Sequence, residues 1–132
     1  MKITERGWVG HYICGDRCRF RRNTLIESNG RRVVVSTVGA MFTDDKMEAI
    51  GAGGRYYETM AFGAKDQAGY VEANVSDRLG FESPWSIYAS SPKKLPADVD
   101  NAANAMHDAV VAEFVAQLSE QPNARIEPGR CE

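Results

Sequence analysis

From Gly7 to Tyr88 the chain alternates apolar and polar positions in short runs. From about Ala97 it switches to apolar residues three and four apart. A period of two marks a strand with one face buried, and a period near 3.6 marks an amphipathic helix. Gly7–Ile13 is rich in aromatic and β-branched residues and reads as a first strand, with Val9, His11 and Ile13 on one side. Phe20–Glu27 and Arg32–Val38 flank Ser28-Asn29-Gly30. Asn-Gly accepts the positive φ of a type I′ turn, so the two runs form a β-hairpin. Val33-Val34-Val35 is apolar on both faces, which predicts a central strand covered from both sides. Gly39–Asp45 reads as a loop, Met47–Ile50 as a short strand and Gly51–Gly54 as a flexible turn without phosphate-loop spacing. Arg55–Phe62 places Tyr56, Glu58, Met60 and Phe62 on one face and Tyr57, Thr59 and Ala61 on the other. Across the turn Asp66–Gly69 it pairs with Tyr70–Ser76, where Val71, Ala73 and Val75 share a side. Phe81–Tyr88 is aromatic but broken by Pro84, which suits an edge strand or a packed loop.

Val99, Ala103, Met106, Val110, Phe114 and Leu118 form one apolar stripe, so residues 97–121 are a helix. Asp98 or Asp100 can cap its start, and Pro122 ends it. The expectation is an α+β fold: an antiparallel sheet of five or six hairpin-connected strands over residues 7–88, with the C-terminal helix on one face. A single domain spans 1–121, and 122–132 is a flexible tail carrying Cys131.

Composition adds a core and a charge asymmetry. Hydrophobic residues make up 43% of the 132-residue chain, enough for a core without disulfides or metals. No long apolar run and no apolar leader are present, so a cytoplasmic protein without a membrane partner is expected. The net charge of -2 divides unevenly. Residues 1–39 hold eight basic side chains against three acidic ones, and the remainder eight against fifteen. The basic part is either an anion-binding patch or the internal partner of the acidic body.

The densest chemistry lies in His11–Asn23. His11, Cys14 and Cys18 have an H-x2-C-x3-C spacing that could hold zinc, with His107, Asp16 or Cys131 as a fourth ligand. The paired motifs that make zinc sites specific are missing, so no cofactor is expected. Buried free thiols, or a Cys14–Cys18 redox pair, are the other readings. Arg17, Arg19, Arg21, Arg22, Arg31 and Arg32, with Phe20 and Tyr12 between them, could follow a nucleic-acid backbone. An isoelectric point near 5.7 argues against a dedicated nucleic-acid binder. Glu58, between Tyr57 and Thr59, could be a buried carboxylate, but no catalytic constellation is recognisable and no enzyme is expected. Tyr56, Tyr57 and Glu58 join the arginines as candidate binding residues, because aromatics and arginine are enriched at protein interfaces.

Several segments carry a resemblance. Ile3–His11, Cys18–Leu25, Val34–Gly39, Arg55–Phe62, Ser83–Ile87 and Ala105–Val111 resemble a family of small uncharacterised proteins encoded by tailed bacteriophages and prophages. The resemblance implies a phage-encoded accessory protein in the cytoplasm of a bacterial host. It implies a host protein or nucleoprotein complex as partner, as for an anti-CRISPR type of defence inhibitor. It carries over no catalytic residue. Family members often have a histidine at the position of Gly63, so a site built on that histidine is absent here. The alternative is a nucleic-acid-binding or zinc-stabilised module working through His11–Arg22.

Overall fold

The computed structural model describes residues 1–7, 11, 15–79 and 85–120. The strands are β1 (Lys2–Glu5), β2 (Cys18–Ser28), β3 (Arg31–Thr43), β4 (Lys46–Glu48), β5 (Arg55–Gln67), β6 (Tyr70–Leu79) and β7 (Trp85–Tyr88), followed by helix α1 (Val99–Glu120). All seven strands belong to one sheet of order β1-β2-β3-β5-β6, with β4 paired to β3 and β7 paired to β5. Every pairing is antiparallel. The α+β expectation holds, with one or two more strands than the alternation suggested.

Three two-residue turns set the registers. Asn29-Gly30, Asp44-Asp45 and Ala68-Gly69 all have two successive positive φ angles, the mark of type I′ turns. They close on the pairs Ser28↔Arg31, Thr43↔Lys46 and Gln67↔Tyr70. The Asn-Gly turn was legible. The Asp-Asp turn was not, so β3 continues to Thr43 through the stretch read as a loop. The first strand also differs from expectation: it is Lys2–Glu5, paired from Lys2↔Glu27 to Glu5↔Thr24. Of the expected strand Gly7–Ile13, Gly7 and His11 are not in a strand, and the rest lies outside the described residues. The expected tail at 122–132 lies outside them too.

The helix covers one face. Ile26, Val33, Val35, Ala61 and Leu79 pack against Val110, Phe114 and Leu118 of α1. Each large apolar side chain buried here is worth about 1.5–3 kcal/mol. The opposite face has its own core of Leu25, Val34, Phe62 and Ala73, flanked by Met60, Ala64 and Val71. Val33, Val34 and Val35 are therefore buried on both sides, as the sequence predicts.

A bulge lets the sheet build that second core. Phe62 pairs with Arg78 but Ala64 pairs with Ala73, so Gly63 alone on β5 stands opposite Asn74–Asp77 on β6. The Asn74 side chain accepts the Ser76 N–H at 3.2 Å and stabilises the bulge locally. Val75 is thrown outward and exposed, instead of sharing a face with Val71 and Ala73. A Cβ on Gly63 would collide with the Asp77 carboxylate, so this position is filled by its neighbour's side chain. Beyond the bulge the hairpin tip folds over the second face. Arg6 reaches across it: Nε donates to Asn23 on β2 at 2.9 Å, and Nη1 donates to the Val71 carbonyl on β6. In a flat sheet those strands would be about 14 Å apart, three spacings. The sheet is curled at this end.

Gly39 marks a close β3–β5 approach. Its φ is +151°, and a Cβ there would run into the Tyr56 carbonyl oxygen and the Tyr57 Cα. Gly39→Ala should destabilise the fold by about 2–4 kcal/mol in urea unfolding. Gly69→Ala, in an open turn at φ +92°, should cost about 1 kcal/mol.

Candidate functional site

The arginines meet the acidic body. Arg22 lies 2.9 Å from Glu5 and 2.8 Å from Asp108, and also donates to Asn104 at 3.1 Å. Arg19 pairs with Asp100 at 3.2 Å and Arg32 with Asp66 at 2.9 Å. Arg31 donates to the Leu118 carbonyl at 3.3 Å. Arg21 is exposed but has a partner of its own, and Arg17 is exposed at the end of a 3-10 turn. Exposed pairs of this kind contribute little stability, at most about 1 kcal/mol. They do reduce the positive field that a nucleic-acid backbone would meet. Tyr56, Tyr57 and Glu58 do not join a surface patch, because all three are buried. Tyr57 donates to Asp100 at 3.0 Å, and burial together with that carboxylate pushes its hydroxyl up to about 12. Asp100, a candidate helix cap, therefore faces the sheet.

Two buried polar groupings were not anticipated from spacing. The first lies on the curled face. Ser36 and Glu58 are buried in β3 and β5, and His11 crosses above them. Ser36 Oγ is 2.7 Å from His11 Nδ1, and His11 Nε2 is 3.1 Å from Glu58 Oε2. Arg55 holds the other Glu58 oxygen at 3.2 Å. Burial raises the Glu58 pKa, but the His11 hydrogen bond and the charges of His11 and Arg55 outweigh it and hold the carboxyl below its usual range. A carboxylate only accepts, so Nε2 carries a proton and donates it to Glu58.

The second grouping ties α1 to the sheet. His107 is fully buried, with Nε2 2.7 Å from Thr24 Oγ1 and Nδ1 2.8 Å from Thr37 Oγ1. Thr37 is in turn 2.6 Å from Thr59 Oγ1. At the other end Thr24 donates to Glu5 at 2.8 Å. The Glu5 carboxylate fixes the direction of the whole chain: Thr59 donates to Thr37, Thr37 to Nδ1, Nε2–H to Thr24, and Thr24 to Glu5. Burial, helped by the nearby Arg22 charge, lowers the His107 pKa to about 4. Burial also raises Glu5, but hydrogen bonds from Arg22 and Thr24 hold it below its usual range.

No family model, curated protein or solved structure matches the chain. The chemistry has to be judged from geometry alone. Serine, imidazole and carboxylate in hydrogen-bonded sequence could activate a hydroxyl as a nucleophile. Two features argue for a latch instead. Ser36 is completely buried, and its oxygen also accepts the His11 backbone N–H at 2.9 Å. The residue that closes over the serine is the one that would serve as its base, so opening the site would remove the base.

For zinc, His11 has both ring nitrogens engaged, and Cys18 is in a disulfide rather than a free thiol. The other two cysteines, Cys14 and Cys131, lie outside the described residues. Among the described residues no group of three potential ligands could hold a metal. The missed residues had a signal in the sequence. Ser36, Thr37, Thr24 and Thr59 are polar within otherwise apolar strand runs, which is where buried hydrogen-bond networks are found.

These networks set the acid limit of the fold. His107 is neutral in the folded state and titrates near 6.5 when unfolded. Stability should therefore be level above about pH 6.5 and fall by about 3 kcal/mol between pH 6.5 and 4. The lowered Glu5 and Glu58 continue the loss below pH 4.5. Urea titrations across this range should show that His107→Gln flattens the first segment. Separately, Ser36→Ala should cost about 1–3 kcal/mol by orphaning the His11 N–H and Nδ1.

Proposed function

We propose that the protein acts by binding another macromolecule: a phage-encoded accessory protein that occupies a host protein of a bacterial defence system, in the manner of an anti-CRISPR inhibitor. The observation that carries the binding part is how side chains are distributed. Both histidines and Glu58 are buried and engaged with internal partners. Large apolar side chains instead face outward: Ile3 on β1 is 52% exposed, Tyr70 and Val75 on β6 are 50% and 60%, and Tyr88 on β7 is 56%. Tyr70 and Val75 lie on a strand at the end of the sheet order. An aromatic and a projecting aliphatic on an end strand are residue types that anchor protein interfaces. The phage setting and the defence target rest on the sequence resemblance. The paired arginines favour a protein surface over a nucleic-acid backbone.

The test is phage plating on a host whose CRISPR system targets that phage. Expression of the protein should raise plating efficiency by at least about tenfold, a change of roughly 1.4 kcal/mol if read as one binding equilibrium. Val75→Glu combined with Tyr70→Glu should abolish the gain and leave the melting temperature within a few degrees. Unchanged plating with the wild-type protein would remove the defence reading.

A further inference from the structure

Arg6, immediately after β1, and Asn23, on β2, leave a charge unanswered. Arg6 Nε donates to Asn23 Oδ1 at 2.9 Å. That bond fixes the amide orientation, so Asn23 Nδ2 is a donor pointing elsewhere. Asn23 is 0% exposed, and among the described residues both its Nδ2 and Arg6 Nη2 are buried without a hydrogen-bond partner. Nε and Nη2 share one edge of the planar guanidinium, so Nη2 stands beside the bond to Asn23, and Nδ2 belongs to the amide that accepts that bond.

The partners Arg6 does have are neutral: the Asn23 amide oxygen and the Val71 carbonyl. Among the described residues it makes no ion pair, unlike Arg19, Arg22, Arg32 and Arg55. Glu27 acts on it only as a more distant charge, and burial lowers the guanidinium's pKa. A buried unpaired donor is destabilising by about 1–3 kcal/mol.

Two unpaired donors on hydrogen-bonded side chains, one of them on a cation without an ion-pair partner among the described residues, call for a group that only accepts and is negative. We propose that Arg6 and Asn23 form a binding site for a small oxyanion, a carboxylate or a phosphate, bridging Arg6 Nη2 and Asn23 Nδ2 on the curled face of the sheet. Bidentate recognition of such anions is what a guanidinium does best. Asn23 stands opposite Ser36 in the β2–β3 register, which puts the site beside the Ser36–His11–Glu58 latch. The site is separate from the outward-facing residues of the proposed interface and does not depend on that reading.

Thermal unfolding at pH 7 in sodium phosphate, sodium acetate and sodium chloride of equal ionic strength tests it. The midpoint should rise by several degrees and saturate in phosphate, in acetate or in both, relative to chloride. The responding salt names the ligand class. Asn23→Asp places a carboxylate against Arg6, so it should abolish the response and raise the midpoint in chloride. Should that variant not fold, Arg6→Gln removes the charge and should likewise abolish the response. Equal wild-type midpoints in all three salts would overturn the proposal and leave a water as the occupant. An undiminished response in the variants would overturn it too, by placing the anion elsewhere.

Discussion

A single carboxylate orders the contact between helix and sheet. Glu5 can only accept hydrogen bonds, so every hydroxyl and ring nitrogen behind it must point its proton the same way. The line runs from β1 through β2 to α1, and on to β3 and β5. Apolar packing of Phe114 and Leu118 would tolerate small slips of the helix. The His107 line does not, because its four hydrogen bonds are 2.6–2.8 Å long and a slip would orphan buried groups. The apolar stripe supplies most of the attraction, and the polar line fixes the position of α1.

The opposite face solves its burial problem by other means. Among the described residues no helix covers it, and the sheet covers itself. The four-residue bulge opposite Gly63 bends the β5–β6 hairpin tip inward, and His11 closes over Ser36. Polar groups again decide how the cover sits, through His11 on Ser36 and Glu58 and through Arg6 on Asn23 and Val71. The two faces share strands and differ in how they are covered. The helix face carries a hydrogen-bonded line that ends in the Glu5 carboxylate. The curled face carries, among the described residues, the unpaired donors of Arg6 and Asn23.

Period-two and period-3.6 patterning carried the fold class, the Asn29-Gly30 hairpin, the β5–β6 hairpin and α1 to within a few residues of their ends. Local chemistry that departs from the common turn signals was harder to read. Asp44-Asp45 forms a type I′ turn without a glycine, and the bulge at Asn74–Asp77 breaks the alternation that placed Val75 inside. Lys2–Glu5 is short and mostly polar, so it shows as a strand only once β2 is there to pair with it. The clustering of His11, Cys18 and the arginines was legible, but their partners were not. Ser36, Glu58, Asp100 and Asp108 reach them only through tertiary packing.

The order of synthesis gives the threonine row a second role. Thr24, Thr37 and Thr59 belong to strands made well before α1, which supplies His107. Until the helix emerges, the face it will cover lies open to water. A wholly apolar face would then be a broad adhesive surface for neighbouring chains. Three hydroxyls across its middle can be hydrated in the interval, and they exchange water for His107 when the helix docks. The polar seam that positions the helix also makes that face less apolar until the helix docks.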